Sequence, residues 1–119
     1  RLATFPWSMS ASTTHDTKRS EDCRARINVL SELPAEWAGV AKQWSAAALR
    51  FKTDVPEVGA TPHANEEYFI YQTLVGVWPM GLNGPAPEVL RQRVKDYLLK
   101  SARESKKYTN WTESNQPYE

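Results

Sequence analysis

The sequence predicts a mainly α-helical chain of about four helices, entered through an extended N-terminal segment. Apolar residues recur at spacings of three and four in four separate stretches. Each stretch opens on residues that start helices well, and the prolines and most of the glycines lie at the ends of the stretches or outside them.

Residues 1–13 contain Pro6 and lead into Ser8-Met9-Ser10-Ala11-Ser12-Thr13-Thr14, which has no helical period, so an extended segment or strand is expected there. Ser and Ala are weak strand formers, so that segment needs a sheet to dock on, or another copy to pair with as an exposed edge. Ser20 is a good N-cap, Glu21 and Asp22 place carboxylates in a first turn, and Cys23, Ile27 and Leu30 follow at helical spacing, which predicts a helix from about 20 to 32. Pro34 suits the first position of a second helix running to about 52, with Trp37, Val40, Ala41, Trp44, Ala48 and Phe51 on one stripe. Pro56, Gly59 and Pro62 make residues 53–64 a loop. Asn65 reads as the next cap, and Tyr68, Phe69, Tyr71, Leu74, Val75 and Trp78 are apolar on more than one side, so the third helix should be the most buried. After a loop punctuated by Pro79, Gly81, Gly84, Pro85 and Pro87, the stripe Leu90, Val94, Tyr97, Leu98 and Ala102 predicts a fourth helix from about 87 to 107. The remainder, Tyr108 to Glu119, is expected to be an irregular tail that packs back through Trp111 and Tyr118.

At 119 residues, 40% hydrophobic and 24% charged, the chain is one domain's worth of soluble polypeptide. No apolar run approaches the roughly 20 residues a membrane-spanning helix needs, so no membrane partner is expected. A net charge of +1 gives no field for attracting nucleic acid. Cys23 is the only cysteine, which excludes an internal disulfide and suits a reducing, cytoplasmic setting. Two histidines and one cysteine far apart do not make ligand spacing, so neither a metal nor another cofactor is expected. The start, Arg1-Leu2-Ala3-Thr4, suggests a piece of a longer protein. Asn110-Trp111-Thr112 matches a glycosylation acceptor, an accidental match in a cytoplasmic protein.

One stretch is dense in chemistry: Thr14-His15-Asp16-Thr17-Lys18-Arg19-Ser20-Glu21-Asp22, at the junction between the extended segment and the first helix. Read as plain structure, its acids favour a helix start, Lys18 and Arg19 are solvated or paired with them, and His15 is a bystander. Read as function, an Asp and a His at a strand end face a pocket, as catalytic groups do in barrel enzymes. The residues alone leave both readings open.

That block, followed by Arg24-Ala25-Arg26 and Val29-Leu30-Ser31-Glu32-Leu33-Pro34-Ala35-Glu36-Trp37, resembles the maltooligosyltrehalose synthase family of the alpha-amylase superfamily. The resemblance continues through Asn65-Glu66-Glu67-Tyr68, Tyr71-Gln72-Thr73-Leu74, Val77-Trp78-Pro79 and Ala102-Arg103-Glu104 to Thr109-Asn110-Trp111 and Tyr118-Glu119. It implies a (β/α)8-barrel enzyme that converts the reducing-end alpha-1,4 linkage of a maltooligosaccharide into an alpha,alpha-1,1 linkage. It further implies that residues 1–19 are a late barrel strand and active-site loop, and that 20–119 are a helical subdomain. Asp16 matches the third catalytic carboxylate and His15 the histidine before it that contacts sugar. Lys18 and Arg19 fall at motif positions expected to touch substrate hydroxyls or to orient Asp16. The nucleophile and general acid belong to strands that precede this stretch, so the 119 residues alone are expected to be inactive, with the remainder of the barrel as their partner.

The other candidates have plainer readings. Trp37, Trp44 and Trp78 lie on stripes and are expected in the core, whereas Trp7 and Trp111 stay open. The basic residues from Arg91 to Lys107 read as a solvated face, His63 has no visible partner, and Cys23 reads as a small buried hydrophobe. Two alternatives accompany the resemblance. One is a stand-alone helical interaction module without catalysis, and the other is a different hydrolase of the same superfamily.

Overall fold

A computed structural model describes residues 3–7 and 11–119. Among these the chain is mainly helical, with α1 at Glu21–Asn28, α2 at Pro34–Ala48, α3 at Ala64–Val77 and α4 at Glu88–Ser105. A two-stranded antiparallel hairpin, β1 Thr53–Val55 and β2 Gly59–Thr61, sits between α2 and α3. Residues 3, 4, 6 and 7 lie in turns, and Ser8-Met9-Ser10, the centre of the expected strand, falls outside the described residues.

The helix that the sequence carries to residue 32 stops at Asn28 and tightens into a single 3-10 turn, Val29–Ser31. Leu33 ends the helical run after that turn. It precedes Pro34, whose ring disfavours helical backbone in the residue before it, and it stands at φ −127° and ψ 50°. Pro34 then opens α2 as expected, and α2 ends in a 3-10 turn at Leu49–Phe51.

The expected loop at 53–64 holds the hairpin, with Thr53 opposite Thr61 and Val55 opposite Gly59. Pro56 and Glu57 occupy the middle of the turn closed by Val58 N–H on the Val55 carbonyl, and Glu57 has φ +64°. Pro followed by a positive φ is the type II pattern, which periodicity does not register. The hairpin is anchored by Val55, which is buried, and by Thr61 Oγ1 donating to the Thr53 carbonyl at 3.2 Å.

Helix α3 begins two residues earlier than expected, because His63 rather than Asn65 is its N-cap; the Glu66 carboxylate accepts the His63 N–H at 2.8 Å. It is the most buried helix, as predicted, with Glu67, Tyr71, Thr73 and Gly76 all buried. Helix α1 lies over its C-terminal half, where Gly76 leaves room for Cys23, and Arg26 ties the two by donating to the Trp78 carbonyl at 2.7 Å. Helix α4 packs alongside through the stacked rings of Phe69 and Tyr97, 5.8 Å apart.

Helix α2 meets α3 through aromatics. Trp37 Nε1–H donates to the Tyr68 hydroxyl at 2.8 Å, and Trp44 stands edge-on to Tyr71 at 5.3 Å. The core expectation for Trp44 needs correction, since it is 38% exposed and Phe51 on the same stripe is 70% exposed. Helix α3 covers one side of the stripe, and Trp44 and Phe51 leave part of the other exposed. The tail packs back as expected, more through its last two residues than through Trp111. Tyr118 donates to Glu66 at 2.8 Å, and the Glu119 carboxylate takes Arg103 Nε at 2.9 Å and the Thr109 hydroxyl at 2.5 Å. Among the described residues no helix is long and apolar enough to cross a membrane.

Candidate functional site

The junction from Ser12 to Asp22 folds around a single turn. Thr17 N–H meets the Thr14 carbonyl at 3.2 Å, and the Thr17 hydroxyl lies 2.8 Å from that oxygen and 3.1 Å from the Arg19 carbonyl. Lys18 then takes φ +58°, uncommon for a residue with a side chain, and swings the chain toward α1. Helix α1 holds the segment before the turn: Ser12 donates to Glu21 at 2.9 Å, and Arg24 donates to the Ser12 carbonyl. Ser20 does stand at the N-cap of α1, but its hydroxyl donates to the Asp22 carboxylate and accepts no backbone N–H of the helix. That hydrogen bond, with a second from the Cys23 backbone, lowers the Asp22 pKa below the usual carboxylate value.

The turn presents the four predicted site residues in two groups. His15 and Asp16 stand outward at its crest, with side chains 79% and 92% exposed and Nδ1 3.3 Å from Oδ1. Lys18 and Arg19 point back toward the helices. Lys18 Nζ lies 4.0 Å from Asp16 and 3.9 Å from Glu104 of α4. Arg19 is held more closely, with Nη2 donating to Thr73 Oγ1 at 3.1 Å, Nε to the Tyr97 hydroxyl at 3.4 Å, and its guanidinium 5.0 Å from the Phe69 ring centre.

A groove of about 360 Å³ runs between this turn and α4, lined by Thr14, His15, Lys18 and Arg19 on one side and by Tyr97 and Glu104 on the other. Its lining carries the hydroxyls of Thr14 and Tyr97 and the charged groups of Lys18, Arg19 and Glu104. The α4 residues were not singled out as site residues from sequence. Tyr97 lies on the apolar stripe and Glu104 on the solvated face, yet 97, 101 and 104 share helical spacing and line the same wall.

A second polar cluster is structural. Glu67 is 4% exposed and carries the Lys52 ammonium at 2.6 Å and the Tyr71 hydroxyl at 2.5 Å. Those two hydrogen bonds, Lys52 first, hold its carboxyl at about 2, while burial and the same carboxylate push the Tyr71 phenol up to about 12. His63, without a partner in the sequence reading, packs its ring 5.0 Å from Tyr108.

Over all 119 residues the chain is 36% identical to proteins of Mycobacterium tuberculosis, strains H37Rv and CDC 1551, that are provisionally named maltooligosyl trehalose synthase. It spans 14% of their length. No family model matches the chain, and no solved structure matches it. The chain is thus related to a segment of those proteins, the same family that the Thr14–Asp22 block resembles.

Proposed function

We propose that the chain is part of an intramolecular transglucosylase that moves the reducing-end glucose of a maltooligosaccharide from an alpha-1,4 to an alpha,alpha-1,1 linkage. The observation that carries this reading is the similarity to a maltooligosyl trehalose synthase along every part of the chain. The outward His15–Asp16 pair beside a hydroxyl-rich groove agrees with it.

In a retaining glycosyl transfer a carboxylate attacks the anomeric carbon while a carboxylic acid about 5 to 5.5 Å away protonates the departing oxygen. Asp16 does neither in this reading. Its carboxylate accepts hydrogen bonds from ring hydroxyls and so grips the distorted sugar, bonds that strengthen as the oxocarbenium character develops. His15 contacts the same ring, Lys18 lies within reach of a hydroxyl in the groove, and Arg19 orients the turn. The nucleophile and the general acid lie on other segments of a barrel that works in the cytoplasm, and the 119 residues alone are inactive.

Asp16→Asn in the longer polypeptide should lower trehalose-forming turnover by about 100-fold or more with folding intact, since it removes a charged acceptor from the transition state. Near-normal turnover would overturn the assignment. Incubated alone with maltopentaose, the 119 residues should yield neither a non-reducing product nor glucose. A second reading, a helical interaction module without catalysis, draws on the half-open apolar stripe of α2. It forecasts a protein partner retained by the isolated chain.

A further inference from the structure

We propose that Thr73 of α3 and Tyr97 of α4 are positioning residues for Asp16, acting through Arg19. The inference rests on the reading of Asp16 as the carboxylate that grips the sugar. Among the described residues the ion-pair partners of the Asp16 carboxylate are His15 at 3.3 Å and Lys18 at 4.0 Å, both on the same turn, and its side chain is 92% exposed. The placement of its carboxylate therefore depends on how that turn is held. The route is short. The Thr17 hydroxyl lies 2.8 Å from the Thr14 carbonyl and 3.1 Å from the Arg19 carbonyl, so its one proton is shared between the turn and the backbone of Arg19. The Arg19 guanidinium is in turn clamped from two helices, by Thr73 at 3.1 Å and Tyr97 at 3.4 Å, with the Phe69 ring beneath it.

Thr73 is built for this task. It is 3% exposed, and its hydroxyl proton goes to the Phe69 carbonyl at 2.8 Å, which leaves a lone pair aimed at Arg19. A threonine in mid-helix back-bonding to its own turn is otherwise neutral to unfavourable for the helix. Tyr97 stacks on Phe69 at 25° between ring planes, so the two walls that hold Arg19 also brace each other. Bidentate donors in a rigid fork make arginine suited to such a clamp, and lysine would not reproduce it.

Thr73→Val and Tyr97→Phe keep shape and remove one acceptor each. In the longer polypeptide each should lower kcat roughly fivefold, the effect of one hydrogen bond, with KM and the unfolding temperature little changed. In an Asp16→Asn background neither should lower the residual rate further, because the group they position is gone. Hydrogen exchange at the amides of Thr17, Lys18 and Arg19 should quicken in both variants while that of α3 does not. An equal loss of rate with and without the Asp16 carboxylate would overturn the proposal. So would a raised KM at unchanged kcat, which would make Arg19 a substrate ligand, or unaltered exchange across the turn. If Asp16→Asn leaves turnover intact, the reading of Asp16 fails by itself, and the exchange measurement still decides whether the clamp sets the turn.

Discussion

Two acidic side chains of this chain show how environment decides what a carboxylate does. Asp16 is almost wholly in water and is available to a ligand, whereas Glu67 is buried against Lys52 and Tyr71 and serves the fold. Because the Glu67 carboxyl is held at about 2 against an ordinary 4.5, its contribution to stability is full above pH 4.5 and is lost as the pH falls toward 2. Glu119, held at about 2 mainly by Arg103, acts in the same direction. Glu67→Gln should destabilise the chain at neutral pH by about 3 kcal/mol, since removing one partner leaves the other charge half-buried without its counterion. The variant should also lose stability less steeply than the parent between pH 4.5 and 2, which urea unfolding at several pH values would measure. Sequence shows Glu66 and Glu67 side by side at a helix start and does not separate them. What separates them is non-local: Lys52 comes from beyond the preceding helix, and Tyr118, which donates to Glu66, comes from the end of the chain. Asp16, by contrast, stands out in the sequence because its block carries the pattern of the family it resembles, while Thr73 and Tyr97 came into view only when the fold brought them to Arg19.

At the scale of elements, all four helices were legible because their apolar stripes and starting residues are local signals. The hairpin was not, since three-residue strands are too short to show alternation and their Pro and Gly read as loop. The crossing of α1 over α3 was equally hidden, and it depends on Gly76. A Cβ at that position would collide with Cys23 Sγ and crowd Ile27 Cδ1 at 3.2 Å. Gly76→Ala gains up to about 1 kcal/mol of helix propensity but forces two helices apart, at a cost of about 1–3 kcal/mol. A net loss is expected. Cys23→Ala removes the sulfur that is struck, so the double variant should be no less stable than Cys23→Ala alone. Thermal unfolding of the four proteins gives the coupling directly, and additive losses would mean the crossing is not set by this contact.

At the scale of the whole molecule, the helices spread more than their composition announces. The radius of gyration is 17.4 Å, where about 13.5 Å is usual for a domain of this length. The accessible surface is 9147 Å², against about 6500 Å² for a self-contained monomer of this mass. The difference is about three times the 800 Å² that one partner contributes to a standard interface. Hydrophobic content of 40% gives no hint of this, because it counts apolar residues without saying whether their stripes meet. Among the described residues an open apolar stretch runs from α2 into the 3-10 turn that ends it, where Trp44, Leu49 and Phe51 are 38%, 63% and 70% exposed. Leu49→Lys with Phe51→Lys should weaken self-association of the isolated chain in sedimentation experiments while leaving its helix content unchanged. If the barrel of the proposed longer polypeptide covers this stripe, the same pair should lower its stability by about 3 kcal/mol, the worth of two partly buried apolar side chains. An unaffected longer polypeptide would mean that the stripe faces solvent there too, and would favour the reading of α2 as a surface for a separate protein partner.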